Sequence, residues 1–336
     1  MEWQEVLENA RGNMGPCKAC PTCDGRACRN TIPGPGAKGR GDVAIRNYAA
    51  WQDIRVNMDT LHENEPVSTQ LELFGRSFAL PVFAGPVGAV KLHYGEKHTD
   101  AEYNDILVPA CADSGIAAFV GDGVDPTVIE AGTAAIELAG GIGVPTVKPW
   151  DVDTVREKMG LARNCGAFAI AMDIDAAGLP FLQNRQPPAG SKSVEELREI
   201  AQSASAPFIV KGIMTPHAAV KAAEAGAAGI VVSNHGGRVL DGTPATAEVL
   251  PAIVREVGDD LVVMVDGGIR CGLDVFKALA LGTRAVILAR PFVTAVYGGQ
   301  AAGVAALVSK LQEELAETMR MTGATTLADI DANMVR

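Results

Sequence analysis

The segment Ser233-Asn234-His235-Gly236-Gly237-Arg238-Val239-Leu240-Asp241 directly follows the apolar run Gly229-Ile230-Val231-Val232. A second polar segment, Asp266-Gly267-Gly268-Ile269-Arg270, follows the apolar residues 261–265 in the same way. Apolar runs of this length are typical of strands in a parallel sheet, which is buried on both faces. In α/β barrels, the residues at the carboxyl ends of such strands carry the chemistry. The two segments therefore predict a functional site formed by strand ends.

Short apolar runs alternate with helical patterns eight times from residue 81 onward. The helical patterns include residues 151–164 and 215–226, and Thr215 followed by Pro216 is a typical helix start. Eight strand–helix units in a chain of 336 residues predict a (β/α)8 TIM barrel. The alternative, a doubly wound open sheet, seldom needs eight units. The predicted strands are residues 81–86, 117–121, 144–149, 167–175, 207–212, 229–234, 261–268 and 285–290.

The first 80 residues do not follow this alternation. We divide the chain into a cysteine-rich N-terminal segment, residues 1–42, and the barrel, residues 43–336. Residues 32–42 are rich in glycine and proline, which predicts a loop. We expect residues 47–80 to form a helix and short strands that close the lower end of the barrel.

Composition excludes several classes of partner. The net charge is −11 and there is no basic run, so nucleic acid is not an expected partner. Residues 297–308 are small and apolar but too short, and too interrupted by glycine, for a membrane span. The first five residues lack the basic start and apolar centre of a signal peptide. A cytoplasmic location is therefore expected.

The ends of the last two predicted strands indicate a phosphate site. Barrels commonly bind phosphate with the loops after strands 7 and 8 and a nearby helix N-terminus. Gly267 and Gly268 let the backbone approach a ligand closely, and Arg270 and Arg290 can bind phosphate oxygens. The alternative interpretation is an ordinary turn with surface arginines.

These segments resemble the FMN-dependent 2-hydroxy acid oxidases and dehydrogenases, the family of glycolate and lactate oxidase. The resemblance covers about residues 40–320 and is strongest over residues 211–292. It implies that FMN is the cofactor. Lys148 is included in the cofactor site as a further cation, although it could instead form a surface salt bridge. The residues that we assign to the cofactor site are Pro86, Val87, Gly88, Lys148, Lys211, Ser233, Asp266, Gly267, Gly268, Arg270, Ala289 and Arg290.

The resemblance also implies the catalytic residues. His235 would take a proton from the substrate, and Asp173 would orient this histidine and raise its basicity. Lys211 would lie beside N1 and the C2 carbonyl of the flavin and favour its reduction. Arg238 would pair with the carboxylate of the substrate. A structural histidine and a lysine at the barrel rim are the alternative interpretations.

The substrate side of the site departs from the family. A tyrosine, a tryptophan, a glutamine–tyrosine pair, a threonine and a second arginine are all missing. The positions where they would fall are Ile32, Gly121-Asp122-Gly123, Lys148 with Trp150, Ala171 and Ala176-Ala177-Gly178-Leu179-Pro180. These differences weaken the prediction that the substrate is a simple hydroxy acid such as glycolate or lactate.

Four of the seven cysteines, Cys17, Cys20, Cys23 and Cys28, follow the spacing C-x2-C-x2-C-x4-C. In a reducing compartment such a run is more typical of a metal site than of disulfides. An iron–sulfur cluster and a structural zinc both suit it, and unligated or redox-active thiols are the remaining alternative. A cluster here could pass electrons to or from FMN, a hypothesis that unchanged metal content after mutation of Cys20 and Cys23 would contradict.

The sequence thus predicts an enzyme that oxidises a 2-hydroxy acid, or a related alcohol, to the 2-oxo product with FMN. Two alternatives stay open: an FMN barrel of another reaction class, such as a flavin-dependent isomerase, and a non-catalytic interaction protein that binds metal. Oxygen, a quinone, an iron–sulfur carrier and a protein partner are all possible electron acceptors. Since relatives commonly form tetramers, we expect a homo-oligomer.

Overall fold

The computed structural model describes residues 1–182 and 184–336. Eight of its strands are parallel and close into a barrel in the order β10-β3-β4-β5-β6-β7-β8-β9. This confirms the predicted (β/α)8 barrel. The strands are β1 Leu71–Leu73, β2 Arg76–Phe78, β3 Val82–Ala84, β4 Ala118–Val120, β5 Gly143–Val147, β6 Ile170–Asp173, β7 Phe208–Ile213, β8 Gly229–Val232, β9 Val262–Asp266 and β10 Ala285–Leu288.

Helices cover the outside of the barrel. Predicted helices 151–164 and 215–226 are confirmed, and the side chains of Asp151 and Thr215 accept hydrogen bonds at their N-caps. The helices are α1 Trp3–Ala10, α2 Val43–Asp53, α3 Val90–Tyr94, α4 Asp100–Asp113, α5 Thr127–Leu138, α6 Val152–Asn164, α7 Val194–Ser203, α8 Pro216–Glu224, α9 Thr246–Val257, α10 Gly272–Ala280 and α11 Arg290–Arg320.

The barrel strands are mostly shorter than the predicted ones. The prediction of residues 261–268, for example, ran past the end of β9 at Asp266. Gly267 and Gly268 have φ values of +90° and +88°, far from the negative φ of regular strand backbone. The polar residues at the carboxyl ends therefore leave the sheet and line a cavity instead of continuing the hydrogen-bonded ladder.

A hairpin closes the amino end of the barrel. Its strands β1 and β2 pair antiparallel, and Phe78 packs edge-on against Phe83 of β3, with ring centroids 4.9 Å apart. Phe78 also contacts Phe168, just before β6, with ring centroids 5.4 Å apart. The hairpin, Phe83 and the apolar interior of the barrel form one buried cluster. The prediction that this part of the chain closes the lower end is correct for the hairpin.

Helix α2 lies at the opposite, carboxyl end, so that part of the prediction was wrong. The Trp51 indole N–H donates to the carbonyl of Gly267, at 2.8 Å. Asn47 and Asn234 form a buried pair in which each amide donates to the other, at 2.7 and 2.9 Å. These hydrogen bonds join α2 to the loops after β8 and β9. The pattern of apolar residues in the sequence gives no information about such polar contacts, so it did not reveal the position of α2.

Helix α11 is longer than the apolar stretch noted in the sequence. By length and composition it could cross a membrane, but 61% of its most apolar window is buried in the fold. Helix α1 packs closely on it, since a side chain at Gly298 would come within 2.0 Å of the Val6 carbonyl oxygen. Helix α11 therefore serves as the eighth helix of the barrel, and the N-terminal segment is docked on it.

Candidate active site

A cavity of about 390 Å³ opens at the carboxyl ends of the barrel strands. Its size is typical of a site for a small molecule or cofactor. Ser233 is fully buried behind the cavity wall. The other residues assigned from the sequence to the catalytic, substrate and cofactor sites all line it: Pro86, Val87, Gly88, Lys148, Asp173, Lys211, His235, Arg238, Asp266, Gly267, Gly268, Arg270, Ala289 and Arg290.

Lys211 is a buried ammonium group with three oxygen partners. Its Nζ lies 3.0 Å from Asp173 Oδ1 and 3.4 Å from Asp266 Oδ2, and it donates to Ser233 Oγ at 3.2 Å. Burial alone lowers the pKa of Lys211, but the two carboxylates outweigh it and raise the pKa above its ordinary value. Lys211 therefore stays positively charged at the end of β7.

Asp173 is the anion that holds two lysines together. Besides Lys211, it lies near Lys148, whose Nζ is 3.6 Å from Asp173 Oδ2. Burial raises the pKa of Asp173, but the charges of His235, Lys211 and Lys148 outweigh this and leave the pKa well below its usual range. Asp173 is therefore ionised and accepts hydrogen bonds only.

His235 lies between two carboxylates. Its Nδ1 is 3.0 Å from Asp175 Oδ1 and 3.5 Å from Asp173 Oδ1, so the aspartate predicted to orient it is the more distant one. Since an ionised carboxylate only accepts, Nδ1 carries the proton. Nε2 has no hydrogen-bond partner within the described residues and is left as the basic nitrogen of a cavity-lining ring.

Asp175 was not singled out in the sequence. Burial raises its pKa; the charge of His235 works against this, and that of Asp173 adds to it. Asp175 lies in the 3-10 turn of residues 174–178 that follows β6, and this turn brings its carboxylate to His235, a contact for which the sequence held no signal. By spacing, these two carboxylates and His235 could also hold a metal ion. The Lys211 ammonium already neutralises Asp173, so the histidine-orienting arrangement fits better.

Arg238 is anchored beside a second, unpredicted histidine. Its Nη1 donates to the carbonyl oxygens of Gly34 and Gly36, at 2.5 and 3.1 Å. His93 lies 3.4 Å from Nη2, and its Nδ1 accepts from the Gly34 N–H at 3.1 Å. Burial, followed by the charge of Arg238, lowers the pKa of His93 to about 3, so this ring is neutral. The guanidinium group of Arg238 is thus held in a fixed orientation, and its remaining N–H groups are available to a ligand in the cavity.

One end of the cavity is lined by the residues to which the sequence analysis assigns phosphate binding. Arg290 begins α11, and its Nε donates to the Pro35 carbonyl at 2.9 Å. Helix α11 is kinked at Gln300 and has no side-chain cap at its start, so the positive end of its first segment is open beside two arginines, Arg270 and Arg290. A side chain at Gly268 would come within 2.2 Å of the Asn47 carbonyl oxygen. This end therefore suits a phosphate group.

The cavity as a whole fits FMN. Thr146 Oγ1 and Asp266 Oδ1 are buried on its wall without a hydrogen-bond partner in the part of the chain that is described. Orphaned polar atoms of this kind are rare unless a ligand or water satisfies them. Together with the Lys211 cation and the phosphate end, they match a cofactor that has a polar ring system and a phosphate. The residues that would hold it are those assigned from the sequence.

Asp122 explains one departure from the family. It stands where a tryptophan is expected, and its carboxylate accepts from the Trp150 indole at 2.6 Å, the Lys148 backbone N–H at 3.0 Å and Lys158 Nζ at 2.5 Å. The carboxylate is fully buried. Asp122 therefore fixes the loop after β5, which carries Lys148 into the cavity.

The remaining wall of the cavity is largely apolar. The expected second arginine is absent from residues 176–180, but Arg185 lines the cavity a few residues later. No pattern in the sequence distinguished it from other surface arginines. The apolar side chains on this wall are Leu92, Val124, Leu179, Phe181 and Leu182.

A second cavity, of about 260 Å³, is lined by Cys17, Cys20, Cys23 and Cys28. All four are free thiols. Within the described chain, no three of the cysteine sulfurs lie within 4.8 Å of one another. The metal site assigned to these cysteines stays a prediction.

Comparisons with known proteins agree with this geometry. The sequence profile described as FMN-dependent dehydrogenase matches residues 35–188 and 181–336, so the four cysteines precede the match. A peroxisomal (S)-2-hydroxyacid oxidase of Arabidopsis thaliana is 46% identical over 145 residues, which are 43% of this chain and 39% of that protein. An L-lactate dehydrogenase of a Caulobacter species is 47% identical over 129 residues, 38% of this chain and 34% of that protein.

The chain spans less than two fifths of the length of these two relatives. Solved structures match more completely. A mandelate oxidase with 2-hydroxy-phenylacetamide has a TM-score of 0.81 at 25% identity, and the match covers 100% of this chain and 97% of that one. A flavocytochrome b2 has a TM-score of 0.77 at 25% identity, covering 90% and 81%. The chain belongs to the FMN-dependent dehydrogenase family.

Proposed function

We propose that this protein oxidises a 2-hydroxy acid to the 2-oxo acid, with FMN as the cofactor. The observation that carries the proposal is the convergence of His235, Arg238 and Lys211 on one cavity that fits FMN. When bound, FMN supplies the acceptor for the two electrons of the oxidation. The protein supplies a base, a carboxylate clamp and a fixed cation.

His235 removes the hydroxyl proton of the substrate through Nε2. Its Nδ1 lies against Asp175 and Asp173, and the negative charge of Asp173 stabilises the imidazolium that forms. Arg238 pairs with the substrate carboxylate, for which its fixed orientation is suited. Lys211 remains protonated and stabilises negative charge that develops on the cofactor side of the cavity.

The apolar wall supports a substrate with an apolar side chain. Leu92, Phe181 and Leu182 offer surface that a glycolate molecule would leave uncovered. Arg185 provides a further cation at the same wall. The cytoplasmic location, the homo-oligomer and the division of the chain at residue 42 stay predictions from the sequence.

The roles of Arg238 and His235 are tested by comparing a 2-hydroxy acid with its primary amide, in an assay that follows reduction of a dye. In Arg238→Met we expect a higher KM for the acid and little change for the amide, since only the acid loses an ion pair. In His235→Asn we expect kcat to fall about 10²- to 10⁴-fold for both compounds.

Two results would contradict the proposal. One is an Arg238→Met variant that weakens acid and amide equally, because Arg238 would then not bind the carboxylate. The other is wild-type protein that retains FMN but oxidises no 2-hydroxy acid, which would favour a different FMN reaction class.

A further inference from the structure

The N-terminal cysteines surround a cavity that the proposed chemistry does not use. Cys17, Cys20, Cys23 and Cys28 line this second cavity of about 260 Å³, and Cys271 of the barrel lines it as well. Cys28 is buried and the other three of the run are partly buried. The run therefore lines a partly open cavity, with Cys28 on its covered side.

The cysteine sulfurs of the described chain are not gathered at the spacing of a zinc site. In a tetrahedral zinc site, Zn–S bonds of about 2.3 Å put the sulfurs about 3.8 Å apart. No three cysteine sulfurs of the described chain lie within 4.8 Å of one another, although they surround a common cavity. An iron–sulfur cluster has several irons and sulfides of its own between the thiolates, so it suits more widely spaced cysteines.

Two arginines compensate the charge that four thiolates would bring. Arg270 Nε donates to the Cys23 carbonyl at 2.7 Å, and Arg270 and Arg290 both line the cysteine cavity. Nearby cations favour the thiolate form that binds metal.

Cys271 has a different environment. Cys271 is the N-cap residue of α10, with the carboxylate of Asp274 in the first turn of that helix and the carboxylate of Glu314 accepting from the Gly272 N–H at 2.8 Å. A cysteine flanked by carboxylates is a poor thiolate ligand. The ligand set is therefore the four cysteines of the N-terminal run, without Cys271.

The cysteine cavity and the FMN cavity share a wall. Tyr94, Arg270 and Arg290 line both of them. These three side chains stand between the four cysteines and the cavity that fits the cofactor. A redox centre in one cavity would therefore be the immediate neighbour of a redox centre in the other.

We propose that Cys17, Cys20, Cys23 and Cys28 hold an iron–sulfur cluster, which is the electron outlet of the FMN site. The outlet role rests on the proposed function. Each oxidation of a hydroxy acid releases two electrons and two protons. The cluster passes the electrons singly to two molecules of a one-electron carrier protein, which are reduced, and the protons leave to the solvent.

The ligand set is tested on the full chain purified without oxygen, by measuring iron, acid-labile sulfide, zinc and FMN. We expect iron and sulfide in nearly equal amounts, little zinc, and an EPR signal after reduction with dithionite. Cys20→Ser should lose the iron and keep the FMN. Two matched controls, Cys271→Ser and Cys165→Ser, should keep both.

Several results would overturn the cluster. These are zinc in place of iron, no metal at all, or equal iron in Cys20→Ser and wild type. Loss of iron in Cys271→Ser as complete as in Cys20→Ser would overturn the ligand set.

The outlet role is tested by adding a 2-hydroxy acid to the anaerobic wild-type protein and following flavin absorbance and the cluster EPR signal together. We expect the flavin to bleach and the signal to appear, and in Cys20→Ser the flavin should bleach without it. Bleaching in wild type without any cluster signal would overturn the outlet. Iron present with a flavin that no acid bleaches would instead contradict the proposed function and leave the cluster assignment standing.

Discussion

Lys211 is a buried cation whose charge is compensated by buried carboxylates. Its ammonium group lies 3.0 Å from Asp173 and 3.4 Å from Asp266, and all three side chains are largely buried. Removing one partner of such a group leaves the others as uncompensated buried charges, which is far more costly than losing a surface ion pair. The same cation faces the cavity that fits FMN.

We therefore expect Lys211→Met to lower the free energy of unfolding by about 3–5 kcal/mol, because Asp173 and Asp266 would be left without their shared cation. Urea unfolding of the FMN-free protein measures this directly. Lys221→Met, on the exposed face of α8, is the matched control and should change stability by less than about 0.5 kcal/mol. Equal effects of the two substitutions would mean that the buried cation contributes no stability.

The two aspartates near His235 predict opposite dependences of stability on pH. The pKa of Asp173 is lowered in the folded state, so its stabilisation is present above the unfolded value of about 3.9 and is lost as the pH falls. The pKa of Asp175 is raised, so its stabilisation is present at low pH and is lost as the pH rises through the folded value.

In urea unfolding between pH 6 and pH 3, we expect the stability of Asp173→Asn to fall less steeply with acid than that of wild type. Asp175→Asn is the control and should not flatten the acid side of the curve. An Asp173→Asn curve parallel to wild type below about pH 4 would show that Asp173 titrates normally in the fold.

At the scale of elements, the loop after β9 depends on a close approach to α2. Gly268 has a φ of +88°, and a side chain there would come within 2.2 Å of the Asn47 carbonyl oxygen. Gly140 has a φ of +66° with open space around it. A substitution at Gly140 therefore tests backbone strain alone, whereas one at Gly268 adds a steric clash to the same strain.

We expect Gly140→Ala to lower the free energy of unfolding by about 1–2 kcal/mol, because alanine is strained in this backbone conformation. Gly268→Ala should lower the free energy of unfolding by more than this. It should also lower the FMN:protein ratio after purification, because α2 and the loop after β9 must move apart. Urea unfolding and flavin absorbance measure the two effects. Normal FMN retention in Gly268→Ala would show that this loop does not shape the cofactor site.

The elements were predictable where burial alone determines them. All eight barrel strands follow from apolar runs, since a parallel strand is covered on both faces. The position of α2 did not follow, because it depends on the Asn47–Asn234 pair and on the Trp51 hydrogen bond, which join segments far apart in the chain. Asp175 and His93 were missed for the same reason: each becomes a site residue only through a distant partner.

At the scale of the whole molecule, the barrel separates stability from chemistry. The hairpin of β1 and β2 closes the amino end with Phe78, while the loops, α2 and the start of α11 build the cavity at the carboxyl end. The N-terminal segment packs on α11 and brings its cysteines to the arginines of the phosphate end. The fold thus gathers His235, Arg238 and the cavity that fits the cofactor at one end.

The most direct test of the proposed oxidation is an anaerobic absorbance spectrum of the purified protein before and after addition of a panel of 2-hydroxy acids. We predict flavin bands that bleach with at least one acid in wild type, and that bleach about 10²- to 10⁴-fold more slowly in His235→Asn. A flavin that stays oxidised with every acid, or a protein that binds no flavin, would contradict the account.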